Sequence, residues 1–293
     1  IIEKDFIFDV IYRNKPEFIF HLAAQPIVLD SFKDPLNTFK TNFLGTINLL
    51  DSLKESNHKS IAVIITSDKA YDNVEWTYGY RETDRLGGKD PYSASKGSAE
   101  LAIRSYVDSF FCQKESNVII GIGRAGNVIG GGDWAPFRIV PDCIKAWAKN
   151  SKPVIRNSKA TRPWQHVLEP LSGYLTLAYQ LYKNEEKNGE AFNFGPPADQ
   201  NFTVGQLVNE MNKNWEETQW IDKTSENSSM EAGLLKLNCD KALHELNWKA
   251  TLNFKETAKW TIDWYKNYYL NNKKNTLALT IDQIDNYTKL AKI

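Results

Sequence analysis

Three short apolar runs, FIFHLAA at residues 18–24, IAVIIT at 61–66 and VIIGIG at 118–123, recur with room for a helix between each pair. Runs of this length without polar alternation suit strands buried on both faces. Asp34 and Pro35 supply a cap and a first-turn proline for a helix reaching about Ser56. Asp90 and Pro91 mark a second helix start just before Tyr92. Strands alternating with helices in this way predict an α/β chain built on a Rossmann-like, doubly wound parallel sheet. AFNFG at residues 191–195 predicts a late strand that rejoins it.

Beyond Asn127 the pattern loosens. Gly130, Gly131 and Gly132 precede a helix expected over about 136–149 and a basic segment holding Arg156 and Arg162. After Thr203, helices alternate with short strand candidates such as 234–237, and a tryptophan-rich helix surrounds Trp260 and Trp264. Residues 224–229 read as a mobile loop. The expected division is a sheet domain over 1–127 and a smaller α/β domain over 128–293, with about 165–200 returning to the sheet.

Composition narrows the function. With 293 residues, 42% of them hydrophobic, the chain can bury a full core. Lys plus Arg and Asp plus Glu number 36 each, so net charge gives no reason to expect a nucleic-acid or membrane surface. Cys112, Cys143 and Cys239 lie far apart and are odd in number, which excludes a disulfide framework and points to a reducing cytoplasm. His21, His58, His166 and His244 show no metal-ligand spacing, so no metal is expected. Glu3, Lys4 and Asp5 break the opening residues, so these form neither a signal-peptide core nor a membrane span.

Ligands of such sheets bind beyond the carboxyl ends of the strands. That gives weight to Gln25 after the first run, to Ser67, Asp68 and Lys69 after the second, and to residues 124–127 after the third. Tyr92 and Lys96 in DPYSASK stand four residues apart and so share a helix face. A cation near a phenol favours the phenolate; bringing its pKa from about 10 to roughly 7 takes about 4 kcal/mol. The pair would then take a proton from a substrate hydroxyl. In isolation, the same spacing also suits an ordinary amphipathic surface helix.

The surrounding blocks are more specific. They are HLAAQP at 21–26, TSDKAY at 66–71, GYRETDRLGGKDPYSASKGSAE at 79–100, RAGNVIGGGDW at 124–134 and RPWQHVLEPLSGYL at 162–175. In this order they resemble the extended short-chain dehydrogenase/reductase superfamily and, within it, the nucleotide-sugar 4,6-dehydratases, over residues from Pro16 to about Trp264. Many relatives acting on other nucleotides carry glutamate after the aspartate, whereas Lys69 matches the CDP-glucose branch.

The resemblance implies an NAD-dependent lyase acting on CDP-glucose, with residues 1–127 as the NAD-binding part and the rest mainly binding substrate. Tyr92 would take the sugar O4 proton, Lys96 would lower its pKa and hold the nicotinamide ribose, and Ser67 would hydrogen-bond the same hydroxyl. Asp68 is implied as the acid for the departing C6 hydroxyl and Lys69 as the base for C5. Cofactor contacts fall on Leu22, Ala23, Ala24, Asn42, Ser67, Tyr92, Lys96 and Gly126, and diphosphate contacts on Asn127, Arg156 and Arg162. Trp134 and Trp164 either stack on the substrate or pack internally. His21 and His166 are expected in hydrogen-bonded structural roles. Residues 35–56 and 92–111 carry apolar stripes that either pair two copies into a homodimer, as in relatives, or bury against the chain's own sheet.

One departure is severe. The GxxGxxG turn that cradles a pyrophosphate should stand several tens of residues before HLAAQP, and it is absent. GIGRAG at 121–126 follows the Tyr92 helix and opens no helix itself, so it is not that turn. Two explanations compete: a fragment lacking the N-terminal strand, helix and second strand of the sheet, or a variant that no longer holds NAD tightly. The fragment is preferred, because the sheet would otherwise present an apolar edge. Such a chain should fold poorly, hold little NAD and lack activity. Met230 before Glu231, where relatives have histidine, is a smaller difference. The competing functions are an epimerase, a dehydratase for another nucleotide sugar, and a non-catalytic nucleotide-sugar binding protein.

Overall fold

A computed structural model describes residues 1–56, 58–215, 219–224, 233–270 and 275–293. Helix α1 (Lys4–Asn14) leads to strand β1 (Phe18–His21), and α2 (Val28–Lys33), α3 (Pro35–Phe39) and α4 (Gly45–Glu55) lead to β2 (Ser60–Ile65). Helix α5 (Pro91–Tyr106) precedes β3 (Val118–Ala125). Then come β4 (Val128–Ile129), α6 (Ile139–Trp147), β5 (Val154–Ile155), β6 (Thr161–Arg162), β7 (Gln165–His166), α7 (Leu168–Lys183) and β8 (Ala191–Phe194). The last elements are β9 (Phe202–Thr203), α8 (Val204–Lys213), β10 (Ile221–Asp222), α9 (Asp240–Leu246), α10 (Phe254–Leu270) and α11 (Thr276–Ala291).

The expected sheet is present. Strands β1, β2, β3 and β8 lie side by side in that order, all parallel. Alternate residues of β2 and β3 feed two cores. Ala62, Ile64, Ile120 and Ile122 pack with Leu50, Leu53, Ile103 and Phe111 on one face. Ile61, Val63 and Ile119 pack with Leu177, Leu181, Leu246 and Trp248 on the other. Helices cover both faces, which is why these strands read as unbroken apolar runs. Strand β1 forms one edge, where Phe18 and Phe20 remain exposed.

A third core has its own aromatic filling. Trp147, Trp164, Trp215 and Tyr265 gather with Ile144, Leu207, Val208 and Ile262 between α6, α8 and α10. The short pairs β4–β7, β5–β10 and β6–β9 frame this part. Helix α7 instead packs on the sheet, and β8 after it rejoins β3.

Three local expectations change. The first apolar run leaves the sheet after His21 instead of continuing to residue 24. The helix expected from 136 starts at Ile139, because Phe137 sits in the left-handed region at φ 64°. Residues 234–237 form no strand: Leu237 makes a single bridge to Tyr80, whose N–H and C=O bond Lys236 and Asn238. The helix from Asp34 does run to Glu55, through a π turn at Lys40–Leu44. Residues 225–229 of the expected loop, and the Met230–Glu231 difference, lie outside the described residues. No helix among the described residues is long and apolar enough to cross a membrane.

Helix α7 offers an internal control on the packing. Leu177 is 0% exposed and Leu175 61%. Leu177→Ala should cost about 2–5 kcal/mol, and Leu175→Ala no more than about 0.5, in denaturant unfolding.

Candidate active site

Strand β2 delivers its chemistry directly. After Thr66 the chain tightens into a 3-10 turn at Asp68–Ala70, capped by Ser67, whose Oγ accepts the Lys69 N–H at 3.2 Å. The same hydroxyl donates to Asp68 Oδ1 at 3.1 Å. Helix α5 arrives opposite. Asp90 caps it by accepting the Ser93 N–H at 2.9 Å and the Ser93 hydroxyl at 2.6 Å, and Pro91 occupies its first turn.

Tyr92, Lys96 and Glu100 follow one another up one face of α5. Glu100 is buried and pairs through both oxygens with buried Arg124 at the end of β3. Thr66 donates to Glu100 Oε1 at 2.5 Å. Arg124 also donates to Tyr71 Oη at 2.7 Å and to the Glu82 carbonyl at 3.0 Å. The pair therefore locks helix, strand ends and the following loop in one register.

Burial governs the titrations. Asp68 is 2% exposed, and desolvation raises its carboxyl pKa against the opposing pull of Lys69, Ser67 and Arg162. Tyr92 is pushed up to about 12, first by burial and then by Asp68 and Asp90, while a hydrogen bond with Ser67 and the charge of Arg138 oppose the rise. Lys96 is driven down to about 8 by burial, with Glu100 opposing. The Lys96 ammonium donates to the Ile65 carbonyl at 3.4 Å. Helical spacing puts both residues on one face of α5.

The expected ligand residues divide. Leu22, Ala23 and Ala24 leave the carboxyl end of β1 exposed or half-buried. Asn42 is engaged internally: its amide takes the Gln25 N–H at 2.7 Å and gives to the Gln25 carbonyl and to Ser95 Oγ, each at 3.0 Å. It braces the loop after β1 against α5. Gly126 has a reason inside the protein, since a Cβ there would stand 2.1 Å from Asp68 Oδ2. Asn127 takes a positive φ of 29°, and its Oδ1 is buried without a partner among the described residues.

Arg162 is buried and donates to the Thr161 carbonyl at 2.7 Å. Arg156 is exposed, and its charge acts on Asp142 of α6. Trp164 is buried in the third core and donates to the Phe202 carbonyl at 3.0 Å. Trp134 likewise packs against Tyr265 and Tyr268. His21 shares a hydrogen bond with Thr46 Oγ1, and His166 accepts the Leu168 N–H; burial holds both imidazoles down to about 4.

Glu100, Arg138 and Gln165 were not singled out from sequence, nor was the pairing of Glu100 with Arg124. The Glu100–Arg124 pair lies inside the quoted blocks, but nothing in the linear order joins its members. Arg138 precedes α6, bonds Asp133 Oδ2 at 2.9 Å and acts on the Tyr92 phenol. Gln165 donates to the carbonyls of Gly126 and Phe194, which fixes the backbone beside Asp68.

The nicotinamide side of a dinucleotide fits these residues. Lys96 is a buried ammonium with one long carbonyl contact and no salt bridge among the described residues, and small side chains line the exposed end of β1. No glycine-rich turn for the pyrophosphate occurs in the sequence.

Comparison with known proteins decides the lineage. The family model for GDP-mannose 4,6 dehydratase matches residues 1–261. The chain belongs to that family. It is 44% identical over 256 residues to the CDP-glucose 4,6-dehydratase of Salmonella typhimurium, covering 86% of this chain and 71% of that protein. Human dTDP-D-glucose 4,6-dehydratase is 25% identical, covering 95% of this chain and 77% of that one. Two solved structures share the fold. UDP-glucuronic acid 4-epimerase from Bacillus cereus aligns with a TM-score of 0.78 at 19% identity, over 90% of this chain and 79% of the other. The dTDP-glucose 4,6-dehydratase of Streptomyces venezuelae gives 0.75 at 18%, over 90% and 77%.

Arg124→Met should cost about 3–5 kcal/mol in denaturant unfolding, because it strands a buried carboxylate. Adding Glu100→Leu should recover part of that loss, and a purely additive double variant would contradict the coupling.

Proposed function

We propose that this chain carries the catalytic and substrate-binding residues of a nucleotide-sugar 4,6-dehydratase that converts CDP-glucose to its 4-keto-6-deoxy product. The observation that carries the reading is a buried acid, Asp68, with a raised pKa, hydrogen-bonded to Ser67 beside Tyr92. Simple epimerisation needs no acid for water loss, so this group favours elimination. The similarity to the Salmonella enzyme supports the CDP-sugar, with Lys69 in place.

NAD, the cofactor this reading requires, would accept hydride from C4 and return it to C6, leaving no net redox change. Tyr92 as phenolate takes the O4 proton. Moving a phenol from about 12 into the neutral range takes roughly 7 kcal/mol, so Lys96 and a neighbouring cationic ring must both contribute. The 4-ketone acidifies C5. Lys69 is the proposed base that takes the C5 proton while Asp68 protonates the departing C6 hydroxyl, and Lys69 then returns a proton to C5. Asn127, Arg156 and Arg162 are the proposed diphosphate contacts, guanidinium forks suiting phosphate oxygens. Leu22, Ala23, Ala24 and Gly126 are proposed to face the dinucleotide.

A homodimer is proposed through the outer faces of residues 35–56 and 92–111, where Leu36, Leu44, Leu101 and Phe110 are exposed. Three free cysteines support a reducing cytoplasmic location.

The reading is tested in a polypeptide that carries a glycine-rich dinucleotide-binding segment ahead of Ile1. It should form a 4-keto product from CDP-glucose faster than from other nucleotide glucoses, and Tyr92→Phe should lower kcat by about 10²–10⁴. Lys69→Met should abolish solvent-deuterium exchange at C5 while sparing C4 oxidation; unchanged exchange would remove Lys69 from that role. Binding of CDP-glucose with no product would favour the non-catalytic reading, and a C4 epimer would favour the epimerase.

A further inference from the structure

Residues 72–78, between the blocks at 66–71 and 79–100, form a loop that the proposed reaction leaves unused. This loop ends a stack that begins inside the protein. The Arg124 guanidinium lies over the Tyr71 ring at 4.8 Å, Tyr71 stacks on Tyr80 at 5.1 Å and 20°, and Trp76 lies against Tyr80 at 5.3 Å and 30°. Tyr71 and Tyr80 are buried, whereas Trp76 is 38% exposed. Tyr78, 73% exposed, meets Trp76 edge-on at 6.0 Å and 88°. Trp76 meets no other ring among the described residues, so the stack ends at the surface on an indole.

The loop is tied down beside the substrate residues. Asn73 Oδ1 accepts the Tyr80 hydroxyl and the Glu75 N–H, each at 2.9 Å, and Tyr80 Oη accepts the Val74 N–H at 2.8 Å. These bonds hold Glu75 at a φ of 56°, a left-handed conformation that a residue with a side chain adopts at a cost and that clusters at ligand sites. From there the Glu75 carboxylate accepts the Gly233 N–H at 2.6 Å, and the Gly233 carbonyl accepts the Thr161 N–H at 2.9 Å. Two hydrogen bonds thus connect the residue before Trp76 to β6, where Arg162 is a proposed diphosphate contact. Asn73 Nδ2 adds a bond to the Leu234 carbonyl at 3.0 Å.

We propose, resting on the dehydratase reading, that Trp76 is the platform on which the pyrimidine base of the substrate stacks, with Tyr78 walling its edge. A nucleotide held by its diphosphate at β6 carries its base one nucleoside away, and the loop fixes an aromatic surface next to that strand. The base would become the next ring in the series that Arg124 begins. Stacking accepts any planar base, so the platform contributes affinity and leaves the choice of cytosine to hydrogen bonds elsewhere. It also explains why two large aromatic side chains stay exposed on a loop that is otherwise bonded throughout.

The test uses the same dinucleotide-competent polypeptide with CDP, which binds without reacting, and with inorganic pyrophosphate as a probe that lacks the base. Binding is followed by calorimetry and by tryptophan emission. CDP should quench part of the emission of the parent. Trp76→Phe, which keeps a ring, should bind CDP nearly as tightly as the parent and lose that quenching. Trp76→Ala should weaken CDP roughly 5- to 150-fold, the range for loss of one base stack, and raise KM for CDP-glucose by a similar factor with kcat little changed. Pyrophosphate binding should stay as in the parent. Equal losses for CDP and pyrophosphate would reduce Trp76 to a prop for the diphosphate contacts and overturn the platform. The same emission change in Trp76→Phe as in the parent overturns it without the alanine variant, so a Trp76→Ala protein that does not fold leaves the test intact. Ring-dependent CDP binding with no 4-keto product from CDP-glucose would reject the dehydratase reading and keep the platform; product formation with CDP binding indifferent to Trp76 rejects the platform alone.

Discussion

Glu100 and Arg124 are both withdrawn from water and meet through both carboxylate oxygens, with Thr66 adding a third bond to the same group. Each link reaches a different element. Glu100 sits two turns beyond Tyr92 on α5, Thr66 directly precedes Ser67 and Asp68, and Arg124 ends β3 just before Gly126. Ionised groups this deep tolerate no loss of partner. The pair therefore acts as a gauge that sets how far α5 slides and turns against the strand ends. Tyr92 meets Ser67, and Asp68 meets Gly126, because that gauge holds.

Once these groups are buried together, electrostatics dictates what they can do. Desolvation raises both the carboxyl of Asp68 and the phenol of Tyr92, so each holds its proton more tightly than it would in water. That direction suits an acid for a leaving hydroxyl and works against a base. The opposing charges are local, since the chain as a whole is balanced at 36 acidic and 36 basic residues. Arg138 and Arg162 come from segments that also build the third core. The placement of that core on the sheet thus feeds into the ionisation of residues at the ends of β2 and α5.

Much of this was legible in the residue order, for physical reasons that differ by element. Strands covered on both faces must be apolar throughout, so three of the four parallel strands announced themselves, and AFNFG gave the fourth. Asp90 and Pro91 set the start of α5, because a cap and a fixed φ act within one turn. Contacts that close over long separations were not legible. Glu100 and Arg124 are ordinary charges until folding places them together, and nothing in the residue order joins Asn42 to the Gln25 backbone it bonds. The spacing of Tyr92 and Lys96 showed that they share a face of α5, and the contact of the Lys96 ammonium with the Ile65 carbonyl came only with the fold.

The central claim is that one buried cluster oxidises sugar C4 and expels the C6 hydroxyl without release of the sugar between the two events. The most direct measurement follows a deuterium atom placed at C4 of CDP-glucose through a polypeptide that includes the dinucleotide-binding segment. With product analysed by NMR, the account predicts the label at C6 of the 4-keto-6-deoxy sugar, and solvent-derived hydrogen only at C5. Label returned to C4, or lost to water, would contradict it.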